Sequence, residues 1–233
     1  MTKRNEGILL VTKLEAVRRQ IDAAVRMSFL NEDSLAIHTV ASAAYVILRD
    51  IKKKRSRSEM ADTMKAGLFV VARKIEAGVL KSIPEPLLDS EVIARKIIPS
   101  IVESIRRGEV KGPEDIDFAF SNEWEKQHWQ EFNATANFLK HADKDPDEFL
   151  DLNKINNSFL IGSACRAYCE IMGVLTPEME MFILSVCASD PAFGPAFSQE
   201  VDEELRQMSP SKRRKVLLKY LRELKKEKLQ IQH

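Results

Sequence analysis

The chain has 233 residues and 26.5 kDa, with 36 Lys and Arg against 35 Asp and Glu, so its net charge is +1. At this size roughly 70% of the unfolded surface can be buried, so a core can form without disulfides or metal. A balanced charge removes any whole-protein attraction to nucleic acid or lipid. The opening residues Met1 to Gly7 lack an apolar signal run, and no stretch approaches eighteen apolar residues, so a cytoplasmic chain without a transmembrane segment is expected. The three cysteines do not make a secreted disulfide framework.

Apolar residues recur at helical spacing from the start. Leu10, Leu14, Val17, Ile21 and Ala24 step by four and three, which is one face of a helix. Asn31 to Ser34 breaks that helix and offers an N-cap, and Leu35, Ala41, Ala44 and Leu48 restart the stripe, which ends in the cations Lys52 to Arg55. An N-terminal antiparallel hairpin follows. Ser56 and Glu59 have capping-box spacing ahead of a third helix carrying Met60, Met64, Leu68 and Val71, and Ile83 to Pro86 stops it. A helix over 90–107 should kink or split at Pro99. Gly108 and Lys111 to Pro113 form the best-marked internal boundary, 108–113, which leaves open whether one core or two is built.

Beyond it the pattern predicts a long helix over 122–142, a short helix capped by Asp145, and a helix over 156–172 closed by Gly173. Thr176-Pro177 and Ser209-Pro210 are further helix starts. No alternating run, hairpin turn or repeat appears. The fold class is therefore all-α: a bundle of roughly eight to ten helices, read as one helical domain over 1–208 followed by a basic amphipathic helix over 209–233.

The predicted 122–142 helix has the most unusual polar content. Advancing about a hundred degrees per residue, Trp129, Phe132, Ala136 and Leu139 share a core stripe. Asn133, Asn137 and His141 form a row beside it, with Phe138 beyond. If both apolar surfaces are covered, that row is trapped and must be hydrogen bonded. Four acids and the lysines Lys140 and Lys144 crowd His141, and Asp143 could orient the imidazole as base or acid. Asp145, followed by Pro146 and Glu148, has an adequate task as a cap, and His141 itself could cap the carbonyls ending its helix.

The run Asn137 to Pro146, Asn-Phe-Leu-Lys-His-Ala-Asp-Lys-Asp-Pro, together with Leu35 to Ala41, resembles an uncharacterised group of bacterial helical proteins, and the likeness spans most of the first 170 residues. That resemblance implies a helical bundle and brings no activity with it. More distantly, an asparagine four residues before a helix-ending histidine is similar to the HEPN superfamily. Its ribonuclease members carry an arginine four to six residues ahead of the histidine, and this chain has none in that window. The distant likeness would imply a metal-independent ribonuclease with His141 as general base, Asn137 positioning the phosphate, and Lys140 or Lys144 on its charge.

His38, with Ser42 and Tyr45 on its side of the second helix, could supply a second imidazole to that site or a core hydrogen bond. Cys165 and Cys169 share a face but lack the tight spacing of a zinc pair, so no metal or cofactor is expected. From Ser209 to His233 there are nine Lys or Arg and two Glu, which puts net +7 there and −6 in the remainder. Lys215, Lys219, Arg222 and Lys226 form a basic stripe beside the apolar Leu217, Leu221 and Leu224. The expectation is a non-catalytic binding or assembly protein with a protein partner or a second copy, with nucleic acid at the basic helix or ribonuclease chemistry at His141 as the alternative.

Overall fold

The computed structural model describes residues 10–55, 59–83, 93–117, 126, 129–130, 133–141, 147–189 and 204–231, and no strand occurs among the described residues. The protein is an all-α bundle. Helix α1 spans Lys13–Leu30 and α2 spans Ser34–Lys54. Thr12 caps α1 by accepting the Glu15 N–H, and Asn31 ends it in the left-handed conformation at φ 54°. Asp33 then accepts the Leu35 and Ala36 N–H groups and starts α2. Three residues therefore reverse the chain and produce the expected hairpin.

Helix α3 covers Glu59–Glu76. A π-helical turn at Ile93–Ile97 leads into α4, Ile98–Arg106, with Pro99 in its first turn, where a missing N–H costs nothing. A 3-10 turn at Pro113–Asp115 follows, in which the Asp115 carboxylate accepts the Lys111 and Gly112 N–H groups. Helix α5 is Ala134–Lys140, α6 is Asn157–Met172, α7 is Pro177–Ser189 and α8 is Pro210–Ile231. Gly173 closes α6 at φ 74°, and Thr176 caps α7 by accepting the Met179 N–H. Asp145 lies outside the described residues, but the short helix expected after it does not form: residues 147–151 are turn and irregular chain, followed only by a 3-10 turn at Leu152–Lys154, where the Asp151 carboxylate accepts the Asn153 N–H.

Helix α5 is shorter than the segment predicted over 122–142. Residues 129–130 are helical, Asn133 is a turn, and a new helix opens at Ala134. The Asn133 side-chain amide donates to the Trp129 carbonyl at 2.7 Å, the same acceptor used by its own backbone N–H at 3.1 Å. Such a local side-chain bond competes with helix continuation.

Among the described residues the buried apolar side chains form two clusters. The larger gathers Val17 and Ile21 of α1, Leu48 of α2, Ile161 of α6, Met179 and Met181 of α7, and Leu217 of α8. The smaller joins Leu68 and Ala72 of α3 to Ile98, Ile101, Val102 and Ile105 of α4 and to Ile116. Each fully buried Leu, Ile, Val or Met contributes about 1.5–3 kcal/mol. Ile116 lies beyond the Gly112 loop yet packs back on α3, so that loop runs within the segment that builds the smaller cluster.

Helix α2 is long and apolar enough by length and composition to cross a membrane, with a mean hydropathy of 1.2, more than the sequence pattern suggests. In the bundle it packs between α1 and α6. It runs parallel to α6: the Asn157 amide donates to the Ser34 carbonyl at one end, and Lys52 meets Glu170 at the other. Gly162 of α6 fits against Phe182 of α7, where an added Cβ would stand 3.9 Å from the ring.

Candidate functional site

The structure disposes of the predicted polar row as a trapped feature. Asn133 is half-buried and spends its amide on Trp129, while Asn137, Lys140 and His141 are exposed. The row keeps its helical spacing, with the Asn137 N–H on the Asn133 carbonyl and the His141 N–H on the Asn137 carbonyl, so what is missing is the cover. Ala136 is buried and Phe138 beyond the row is half-buried, but Leu139 of the expected core stripe is 37% exposed, so the row is not enclosed between two covered surfaces. Asp143 and Lys144 lie outside the described residues.

His38 is the buried histidine of this region. Helix α2 packs on α5, which brings Lys140 near His38. Asn157 donates its amide to the Ser34 carbonyl at 2.8 Å, which turns its oxygen toward His38 Nδ1 at 3.2 Å. That oxygen can only accept, so Nδ1 carries the proton and Nε2 presents a lone pair. Nε2 is enclosed and has no hydrogen-bond partner among the described residues. Burial pushes the His38 pKa down, the Asn157 bond opposes this, and the nearby Lys140 charge lowers it further. The group is an imidazole that burial keeps neutral, close to the exposed Lys140.

The densest polar assembly lies elsewhere, where α2, α3 and α6 meet between the two apolar clusters. Lys52 is 1% exposed and its ammonium touches the Glu59 carboxylate, Asp62 at 2.5 Å and Glu170 at 2.6 Å. Arg166 donates to Glu59 at 2.6 Å, to Thr63 at 2.8 Å and to Glu170 at 2.6 Å. The Tyr45 hydroxyl completes the set at 2.9 Å from Thr63 Oγ1. Burial disfavours charge on Lys52, but its three carboxylates outweigh that and hold its pKa above the usual lysine value. For Arg166, desolvation is likewise outweighed by Glu59 and Glu170. Burial, with the Glu59 charge beside it, pushes the Tyr45 phenol far up.

Oxygens of Glu59, Asp62 and Glu170 lie within 4.8 Å of one another, a spacing that could hold a cation. Lys52 supplies that cation from within the chain. The assembly works as an ionic joint between α2, α3 and α6. Beside it Trp129 stacks on Tyr45 with centroids 6.1 Å apart, and the Arg49 guanidinium lies 4.4 Å over the indole.

The joint was missed by sequence reasoning, which gave Lys52 to the helix end and Glu59 to a capping box. The signal was present. Ala41, Tyr45, Leu48 and Lys52 step by four, three and four, so Lys52 continues the buried stripe of α2. A lysine on that stripe needs an acid brought by another element.

Helix α8 presents the predicted basic stripe. Leu217 and Leu221 are buried in the larger core, while Lys215, Lys219 and Arg222 are exposed, Lys219 by 80% on its side chain. Val216 and Tyr220, 39% and 44% exposed, lie among them. Lys226 falls where only helix backbone is described. Cys165 and Cys187 are buried and Cys169 is half-buried, all three unbridged. Burial raises the Cys165 thiol far above its ordinary value, which leaves it an inert core group.

No protein-family model, curated protein or solved structure matches the chain.

Proposed function

We propose that this chain is a non-catalytic helical binding protein whose contact surface is the basic face of α8, and that its partner is a protein with an acidic, partly apolar surface. The observation that carries this reading is where the positive charge is left over. Along α1, α3 and α4 the exposed arginines sit beside acids of their own helix or the next turn, as in Arg19 with Glu15, Arg73 with Glu76, and Arg107 with Glu103 and Glu109. On α8, Lys219 has Glu223 at 4.0 Å, while Lys215 and Arg222 have no acidic partner among the described residues. Unbalanced cations interleaved with Val216 and Tyr220 suit a rim of carboxylates around apolar contacts. The reading over hydrolysis is supported by the exposure of Asn137 and His141 and by the local use of Asn133.

The test places a photo-crosslinking residue at Tyr220 in the cells that make the protein. A discrete protein adduct is expected, and it should vanish in the Lys215→Gln, Lys219→Gln, Arg222→Gln triple variant. Adducts with nucleic acid alone would overturn the reading. So would cleavage of RNA by the purified chain that disappears in His141→Ala.

A further inference from the structure

At the other face of α8, a cleft of about 340 Å³ opens between α1, α6, α7 and the start of α8. Its walls are of two kinds. Phe29 and Phe182 present rings from α1 and α7, whereas Ser28, Ser185, Arg213 and Arg214 supply polar groups. The arginines hold different positions. Arg213 is buried and donates to neutral acceptors, the Leu205 carbonyl at 2.7 Å, Ser189 Oγ at 2.6 Å, and the Met208 and Arg206 carbonyls at 3.3 and 3.4 Å. Arg214 is half-buried and makes no hydrogen bond or ion pair among the described residues. Among the described residues neither guanidinium has a carboxylate, and the half-buried hydroxyls of Ser28 and Ser185 have no partner.

Two guanidinium groups with no carboxylate among the described residues line one concavity, where an anion would be favoured. Donors dominate the polar wall: Arg214 offers a planar fork and the serines offer rotatable O–H groups, a set suited to an oxyanion with several acceptor oxygens. The volume lies at the small end of ligand sites, which run about 300–1,000 Å³. That leaves room for an anionic group and one ring against Phe29 and Phe182.

We propose that this cleft binds a small phosphate monoester carrying an apolar ring, with the phosphate on Arg214, Ser28 and Ser185 and the ring on the phenylalanine wall. The site stands apart from the partner surface on the outer face of α8. Isothermal titration of the full chain with phenyl phosphate tests it, using inorganic phosphate and phenol as comparison probes. Phenyl phosphate should bind more tightly than either. Arg214→Gln should weaken it roughly ten-fold or more, since a charge-assisted contact is removed, while Lys215→Gln, one residue away on the outer face, should leave it unchanged. Ser185→Leu, which fills the cleft with an apolar side chain, should abolish binding and gives a second route should Arg214→Gln disturb the fold. The proposal falls if phenyl phosphate does not bind in the millimolar range, if inorganic phosphate or phenol binds as well, or if Lys215→Gln costs as much as Arg214→Gln.

Discussion

Replacing Lys52 by methionine isolates what the ionic joint contributes. Methionine keeps the length and much of the volume of the side chain and removes only the ammonium. Glu59, 2% exposed, then keeps Arg166 as its cation, and Asp62 and Glu170 lose theirs or share it. The joint holds two cations and three carboxylates, a net charge of −1, and becomes −2 without Lys52. Removing one member of a buried ion pair costs about 3–5 kcal/mol, mostly because the partner charge stays buried. For a chain of this length that corresponds to a Tm lower by roughly 10 °C. Urea unfolding of the full chain gives the value. Lys53→Met, one residue along and exposed, should stay within about 0.5 kcal/mol. The double variant Lys52→Met, Glu59→Gln should recover part of the loss, because the stranded carboxylate is gone. Amide exchange should also quicken in α3 and α4 before α1 and α6, since the joint ties the smaller cluster to the larger. A Lys52→Met cost no greater than that of Lys53→Met would refute the reasoning and make the joint no more than a surface pair.

Three further outcomes follow from single groups. Burial lowers the His38 pKa from 6.5, so the stability it contributes is full above 6.5 and is lost as pH falls toward the lowered folded value; thermal melts between neutral and mildly acidic pH should show that loss, and His38→Asn should flatten it. Thr176 donates to the buried Asp22 carboxylate at 2.5 Å and accepts the Met179 N–H at 3.2 Å, so Thr176→Val should cost about 2–3 kcal/mol in urea unfolding, and Thr176→Ser much less. At Gly173, with φ 74° and open space where a Cβ would go, Gly173→Ala should cost about 1 kcal/mol from backbone strain alone, and Gly173→Asn less, as read from the same unfolding curves.

The bundle was readable because its helix ends are written locally. Asn31 with Asp33, Gly173, Thr176-Pro177 and Ser209-Pro210 each carry their reason within four residues, and the structure places helix ends at each. The polar groups are a different case. Lys52 finds Glu170 across 118 residues and His38 finds Asn157 across 119, distances over which spacing carries no information. Each such residue also had a sufficient local explanation: a cation at a helix end, or an acid three residues after a serine. Only the position of Lys52 on the Tyr45–Leu48 stripe argued against the local one. The row at Asn133, Asn137 and His141 failed for the converse reason. Its helical spacing holds, with backbone bonds from Asn137 to Asn133 and from His141 to Asn137, but enclosure depends on what other elements bring over the helix, and Leu139 is left exposed.

The same accounting of partners separates structural charge from charge left for contact. Arg166 and Lys52 are fully matched by carboxylates, and Arg26 reaches Glu178 at 2.8 Å, so these cations hold helices together. Arg213 is matched by carbonyls and a hydroxyl, which satisfy its donors without neutralising its charge. Arg214, Lys215 and Arg222 have neither kind of partner among the described residues, and all three lie on α8, which meets the core through Leu217 and Leu221. Leu217 and Leu221 fix that helix in rotation, turning Arg214 to the cleft and Lys215 and Arg222 outward. A chain of net charge +1 thus carries net +7 over 209–233, and two leucines divide the described part of that charge between the side lining the cleft and the outer side.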